Sequence, residues 1–154
     1  MNARFLSSSD KKHIFSVFAD RFGITTFPSY LLIETGKQKI RAFSGSLNRE
    51  DLVALGSTVR VEIVGAYFAR RDEHGGIRLS FDAPHLIGKA TEHVLELTEA
   101  QKERWLRGDT LEIETEPGMY IVRFGKDELG CGHSNGQVLF NYVPRERQIK
   151  SKKN

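Results

Sequence analysis

The sequence predicts an α+β protein of two packed modules, the second a small, partly closed β-barrel. Three observations predict it. A Phe-rich stripe at helical spacing opens the chain and is followed by a hairpin signature. Pro84 and Gly88 then interrupt the strand pattern without a Ser/Gly-rich linker, which implies modules joined through an apolar interface rather than a flexible tether. Finally, the stretch from Thr98 to Pro144 alternates short strand-like runs with tight-turn residues around one capped helix, the pattern of a small, curved sheet.

Taken in order, Ser7, Ser8, Ser9 and Asp10 offer N-caps for a helix whose apolar positions are Ile14, Phe15, Val17, Phe18 and Phe22, with Gly23 as its left-handed stop. Tyr30 to Glu34 and Lys39 to Phe43 read as strands joined at Thr35-Gly36-Lys37, with Gly36 expected to take the positive φ. Asn48 caps a helix from Arg49 to Leu55, with Glu50 and Asp51 in its first turn, and Gly56 is expected to end it. Thr58 to Ala69 alternates and is β-branched, so a strand is predicted over the whole run, pairing with Ile77 to Phe81 through a turn at Glu73 to Gly76. The module boundary falls between Asp82 and Lys89, giving domains over 1–86 and 87–154.

Beyond the boundary, His93 to Leu97 is a short apolar stretch, and Thr98 with Gln101 forms the capping pattern of a helix through Arg107, stopped by Gly108. Strands follow at Leu111 to Glu114, Tyr120 to Phe124, Leu129 to Ser134 and Val138 to Val143, the last two joined by Asn135-Gly136, a strong hairpin signal. Gly130 and Gly132 are expected to shape the barrel.

Composition narrows the function. Hydrophobic content of 39% and charged content of 28% describe an ordinary globular chain. No apolar run approaches the roughly 20 residues needed to span a bilayer, and Met1 to Asp10 lack the pattern of a secretory leader, so a cytoplasmic protein without membrane contact is expected. A single cysteine, Cys131, excludes an internal disulfide and a cysteine-rich zinc site. Residues 1–88 carry 12 Lys/Arg against 9 Asp/Glu, and residues 89–154 carry 11 against 11. Within that balanced second part, Arg145, Arg147, Lys150, Lys152 and Lys153 are offset only by Glu146. A cationic end on a neutral module points to a polyanion partner.

Catalytic motifs are missing. No phosphate-cradling G-x-x-x-x-G-K-[ST] loop, no G-x-S-x-G elbow, no H-E-x-x-H and no C-x-x-C occurs. The histidines His13, His74, His85, His93 and His133 never share close ligand spacing, and Glu112, Glu114 and Glu116 alternate as a solvated strand face. No cofactor or metal is expected. A thiol nucleophile at Cys131 assisted by His133 is the one enzymatic alternative, and a packed small residue is the preferred reading of Cys131.

Binding has more support. Lys89, Arg123, Lys126, Arg145, Arg147 and Lys150 are candidate phosphate contacts, each adding salt-dependent affinity. Phe140 and Tyr142 alternate with Leu139 and Val143, so one strand face can present aromatic surface to an unstacked base, and Tyr142 or His133 is the candidate base contact. Arg70-Arg71 at a hairpin tip, with Arg60 and Arg78 nearby, form a second cationic group, read as a solvated face.

The runs RGDTLEIE and GMYIVRFGKDELGCGHSN resemble the PUA domain of pseudouridine synthases and archaeosine transglycosylases, with Arg107-Gly108-Asp109 at the start of the pattern, Tyr120 to Phe124 as its middle strand and Leu129 to Gly132 as its glycine-containing strand. The end, NGQVLFNYVPRERQIK, is similar to the PUA-like module of the Fmu/Sun group of rRNA cytosine methyltransferases. The whole arrangement resembles two-domain pre-ribosomal factors with a C-terminal PUA domain. The resemblance implies an N-terminal α/β pre-PUA domain packed on a PUA-like barrel. It further implies binding of rRNA precursor or tRNA in ribosome biogenesis or RNA modification, with an RNA methyltransferase or pre-ribosomal protein as a potential partner. The proline-cysteine pair of those methyltransferases does not occur, so their chemistry is not implied. RNA is preferred over DNA because no basic recognition helix is present. The alternative is a protein-interaction adaptor whose Phe-rich N-terminal part docks such a protein.

Overall fold

Three reciprocal caps set where the helices begin. Ser7 Oγ accepts from Asp10 N while the Asp10 carboxylate accepts from Ser7 N, both at 3.1 Å. Asn48 and Asp51 exchange the same pair of bonds at 2.8 and 3.1 Å, and Thr98 and Gln101 at 3.3 and 2.9 Å. Each box satisfies helix N–H groups that have no partner inside the helix.

The computed structural model describes residues 3–150; Lys152 and Lys153 of the basic end lie outside the described residues. In chain order the elements are β1 (Ala3–Phe5), α1 (Ser8–Phe22), β2 (Leu31–Thr35), β3 (Lys39–Phe43), α2 (Arg49–Thr58), β4 (Ala66–Arg71) and β5 (Ile77–Leu79). There follow β6 (Val94–Glu96), α3 (Glu99–Leu106), β7 (Leu111–Glu112), β8 (Gly118–Phe124), β9 (Asp127–Ser134) and β10 (Val138–Asn141). The first five strands form an antiparallel sheet in sequence order. The other five form a sheet in the order β6-β8-β9-β10-β7, with β6 parallel to β8 and the remaining pairs antiparallel, curled into a half-barrel. The protein is thus a mixed α+β fold, as expected.

One core joins the two sheets. Ile14, Phe18 and Phe22 of α1, Phe68 of β4 and Leu79 of β5 belong to the same buried cluster as Met119, Ile121 and Cys131 of the second sheet. Phe18 meets Phe68 edge-on with centroids 5.9 Å apart, a favoured aromatic geometry. Backbone contacts reinforce the junction: Thr91 N and Glu92 N both donate to Phe22 O at 2.9 and 3.1 Å, covering the last carbonyl of α1. Gly130 lies so near the Phe81 ring that an added Cβ would stand 2.5 Å from it, so only glycine lets β9 approach there. A second cluster gathers Trp105 of α3 with Leu111, Tyr120, Val122, Leu139 and Val143 inside the half-barrel.

The structure corrects several boundaries. In the β2–β3 connection, positive φ falls on Lys37 and Gln38 and not on Gly36. Gly56 does not end α2, which continues to Thr58 and passes its last bond from Val59 N to Leu55 O. The predicted strand over Thr58 to Ala69 starts only at Ala66, because Gly65 at φ +73° breaks the extended run where its backbone passes against Ala42. Residues 59–64 run irregularly instead, tucking Val61 and Val64 against Ile33 and Leu52. β1 and β6 had no strand signature of their own: each has only three residues.

Candidate nucleic-acid interface

The second sheet places the predicted base-contact residues by register. Met119, His133 and Phe140 stand opposite one another on β8, β9 and β10, and Tyr142 follows two positions after Phe140. Inward residues alternate with them: Leu139 and Val143 are buried, whereas Phe140 is 41% exposed and Tyr142 half-buried. The aromatic face expected from alternation is therefore present. Trp105 anchors α3 behind it, its indole N–H donating to Leu129 O at 2.8 Å, and Asn141 Nδ2 donates to Trp105 O and Asp109 O at 2.7 and 2.9 Å.

Across from that face lies the β4–β5 hairpin. A cleft of about 510 Å³ opens between them, with Met119, His133 and Tyr142 on one wall and Arg70, Arg71 and Arg78 on the other. Its volume falls within the roughly 300–1,000 Å³ of small-ligand sites. The Arg78 guanidinium sits 4.5 Å from the centroid of Tyr142, a cation–π contact linking the sheets. Arg71 is held by Glu34 at 3.3 Å. Asp72 also lines the cleft, but its Oδ1 accepts the N–H groups of His74 and Gly76 at 2.9 and 2.7 Å, closing the hairpin turn.

The remaining predicted cations scatter. Lys89 is exposed in the loop before β6, Lys126 at the tip of the β8–β9 turn, and Arg145 in a 3-10 turn after Pro144. Arg147 is exposed and lies 3.5 Å from Asp82. Lys150 is exposed at the end of a segment that is tied down, with Gln148 Nε2 donating to Val143 O at 3.1 Å and Ile149 N to Leu106 O at 2.8 Å. Arg123 is a different case. Its guanidinium bonds Glu128 Oε1 at 2.6 and 3.0 Å and Ala90 O at 3.3 Å, and its side chain is 12% exposed. Sequence reading placed it among phosphate contacts; the fold commits it to an internal ion pair, since strand pairing aligns Arg123 with Glu128.

Residues 92–149 match the family model described as the methyltransferase RsmF PUA domain. The C-terminal module is a PUA domain. PUA domains are generally RNA-binding modules, and the match covers β6 through the 3-10 turn that carries Arg145 and Arg147. Within the PUA domain the expected Tyr120–Phe124 strand is the last five residues of β8, and Leu129–Gly132 lies in β9. No curated protein matches the chain.

Two further side chains bear on chemistry. Cys131 is buried, its thiol donating toward Leu79 O at 3.2 Å, and burial pushes its pKa up to about 12. The thiol is therefore held protonated at neutral pH and packs in the inter-sheet core. His93 Nδ1 lies 2.8 Å from Arg21 O, at the end of α1. Among the described residues no group of three His, Cys, Asp or Glu side chains could hold a metal ion, and no helix is long and apolar enough to cross a membrane.

What sequence reading missed is the convergence. Arg70, Arg71 and Arg78 were a separate group, yet they share a cleft with His133 and Tyr142. The hairpin turn signal already paired Arg70 with Arg78; nothing in local sequence could say that the second sheet would face them. Arg60, grouped with them on the assumption of a long strand, lies outside the cleft and pairs with Glu62 at 3.4 Å.

Proposed function

We propose that the chain binds structured RNA and does no chemistry itself, serving ribosome biogenesis or RNA modification in the cytoplasm. The observation that carries the reading is the PUA domain over residues 92–149, with Lys126, Arg145 and Arg147 exposed on it and Lys89 and Lys150 exposed just beyond its two ends. Phosphate neutralisation by these side chains supplies the bulk of the affinity, and rRNA precursor or tRNA is the RNA class. The test is a salt titration of binding to a transcribed tRNA and an rRNA hairpin. Affinity should fall steeply with salt, and R145A/R147A should lower the slope of log affinity against log salt by about 1–2. Affinity indifferent to both salt and this double substitution would falsify the reading.

A second reading rests on a separate observation. The Phe-rich stripe of α1 is core and offers no docking face, but Val53 and Leu55 of α2 and Val59 and Ile63 after it are 58%, 41%, 51% and 68% exposed, a concentration of exposed apolar side chains in one stretch of chain of the kind that interaction surfaces carry. On this reading the chain is an adaptor that docks an RNA methyltransferase or a ribosomal protein. Stoichiometric co-purification with such a protein, lost in V53E/I63E and accompanied by no RNA retention at low salt, would favour it over direct RNA binding.

A further inference from the structure

Strand pairing in the first sheet lines up three cations. Lys39 on β3 lies opposite Arg70 on β4, and Arg70 lies opposite Arg78 on β5. Residues opposite one another share a face, so the three side chains form a row with about 5 Å between strands. Like charges so placed repel. Among the described residues none of the three has a carboxylate at ion-pair distance.

The ends of the row rest on aromatic rings: the Lys39 ammonium is 5.3 Å from the centroid of Tyr67, and the Arg78 guanidinium 4.5 Å from that of Tyr142. Arg70 in the middle is exposed and makes neither kind of contact. A row of cations without ion-pair partners has its repulsion relieved by a polyanion, and its spacing suits several phosphate oxygens at once rather than one small ion; Asp72 and Glu73, which also line the cleft, belong to the hairpin turn at its end. Opposite Arg70 and Arg78, the other wall offers Met119, His133 and the ring of Tyr142. Cations on one wall with the imidazole and phenol rings of His133 and Tyr142 on the other match what an unstacked nucleotide presents, a charged backbone and a flat apolar base. A base inside a duplex cannot reach such a wall, and an acidic peptide would leave it unused.

We infer that this cleft takes an unstacked, single-stranded nucleotide with its flanking phosphates, so the partner is a structured RNA that continues into a single-stranded extension crossing both modules. The inference rests on the RNA-binding reading above and adds to it a contact made by the first sheet. Arg78 orients the site as well as charging it, because its cation–π contact with Tyr142 holds the guanidinium between the two sheets. Arg70 supplies the exposed charge.

The experiment uses the intact chain and two fluorescein-labelled RNAs at ~100 mM salt: a blunt hairpin, and the same hairpin with an extension of about six nucleotides. Anisotropy should report about tenfold tighter binding of the extended RNA. In R70Q/R78Q that gain should shrink to within about twofold, with hairpin affinity changed less than about threefold. R78K, which keeps charge and loses the planar guanidinium, should retain only part of the gain. Thermal melts accompany each variant, and if R78Q lowers the midpoint, R70Q alone carries the test because its side chain is exposed. Equal affinity for the two RNAs, or a gain that survives in R70Q/R78Q, overturns the inference and leaves RNA binding by the PUA domain standing. Failure to bind either RNA overturns both. Displacement of the extension by polyglutamate as readily as by oligouridylate overturns the nucleotide assignment in favour of a general polyanion surface.

Discussion

Cys131 shows how surroundings decide what a residue does. Between two glycines it reads as a small packed residue, with a reactive turn thiol as the alternative, and the fold buries it beside Leu79. Its folded pKa, raised from 9.0 to about 12 by burial, has a stability consequence with a definite sign. Below pH 9 the thiol is neutral in both states and adds no pH dependence. Between pH 9 and about 12 the unfolded chain releases the proton and the folded one holds it, so stability falls as pH rises. In C131A that part of the alkaline loss should vanish, measurable as a smaller drop in urea midpoint from pH 8 to pH 10. Native protein should also resist iodoacetamide at pH 8 and react once unfolded. The Arg123–Glu128 pair is a second case. Both side chains are largely covered, at 12% and 16% exposure, and Glu128 Oε2 is buried without a partner. Removing one member strands the other, so R123M should cost about 3 kcal/mol and R123M/E128L less than R123M alone, read from urea unfolding.

At the scale of elements, capping and turn chemistry decide the helices, and packing decides the strands. The Thr98–Gln101 box predicted for α3 is present, and T98A should lower stability by about 1 kcal/mol. Trp105 holds the same helix to the half-barrel through complete burial and its bond to Leu129 O. W105A should therefore cost about 3–5 kcal/mol and abolish cooperative melting by circular dichroism. Where local signals misled, a tertiary contact overrode them. The β-branched run after Thr58 favours a strand, but Gly65 turns the backbone against Ala42, and strand pairing begins one residue later. Gly56 stays helical because Val59 N still finds Leu55 O beyond it.

For the whole molecule, the decisive feature is a core that does not respect the change from one sheet to the other. Phe68 in the first sheet and Ile121 in the second share one buried cluster, so unfolding should be a single event. The chain has one tryptophan, and it lies in the PUA domain, so its fluorescence reports that part alone. F68A, a change in the other sheet, should nonetheless shift the Trp105 fluorescence midpoint together with the far-ultraviolet signal, by roughly 3 kcal/mol. Two separate transitions, with only the first moved, would mean that the sheets fold independently.

Helix starts, the Asn135-Gly136 hairpin and the PUA pattern were legible from residues alone, because caps and tight turns depend on side chains within a few positions of the backbone they serve. The cationic end and the alternation of Phe140 and Tyr142 with Leu139 and Val143 were legible for the same reason. The short strands β1 and β6, the commitment of Arg123 to Glu128, and the cleft that sets Arg70 and Arg78 against His133 and Tyr142 were decided only in three dimensions. Each depends on a partner far along the chain, and the apolar surfaces that choose those partners carry no local sign of which face will meet which.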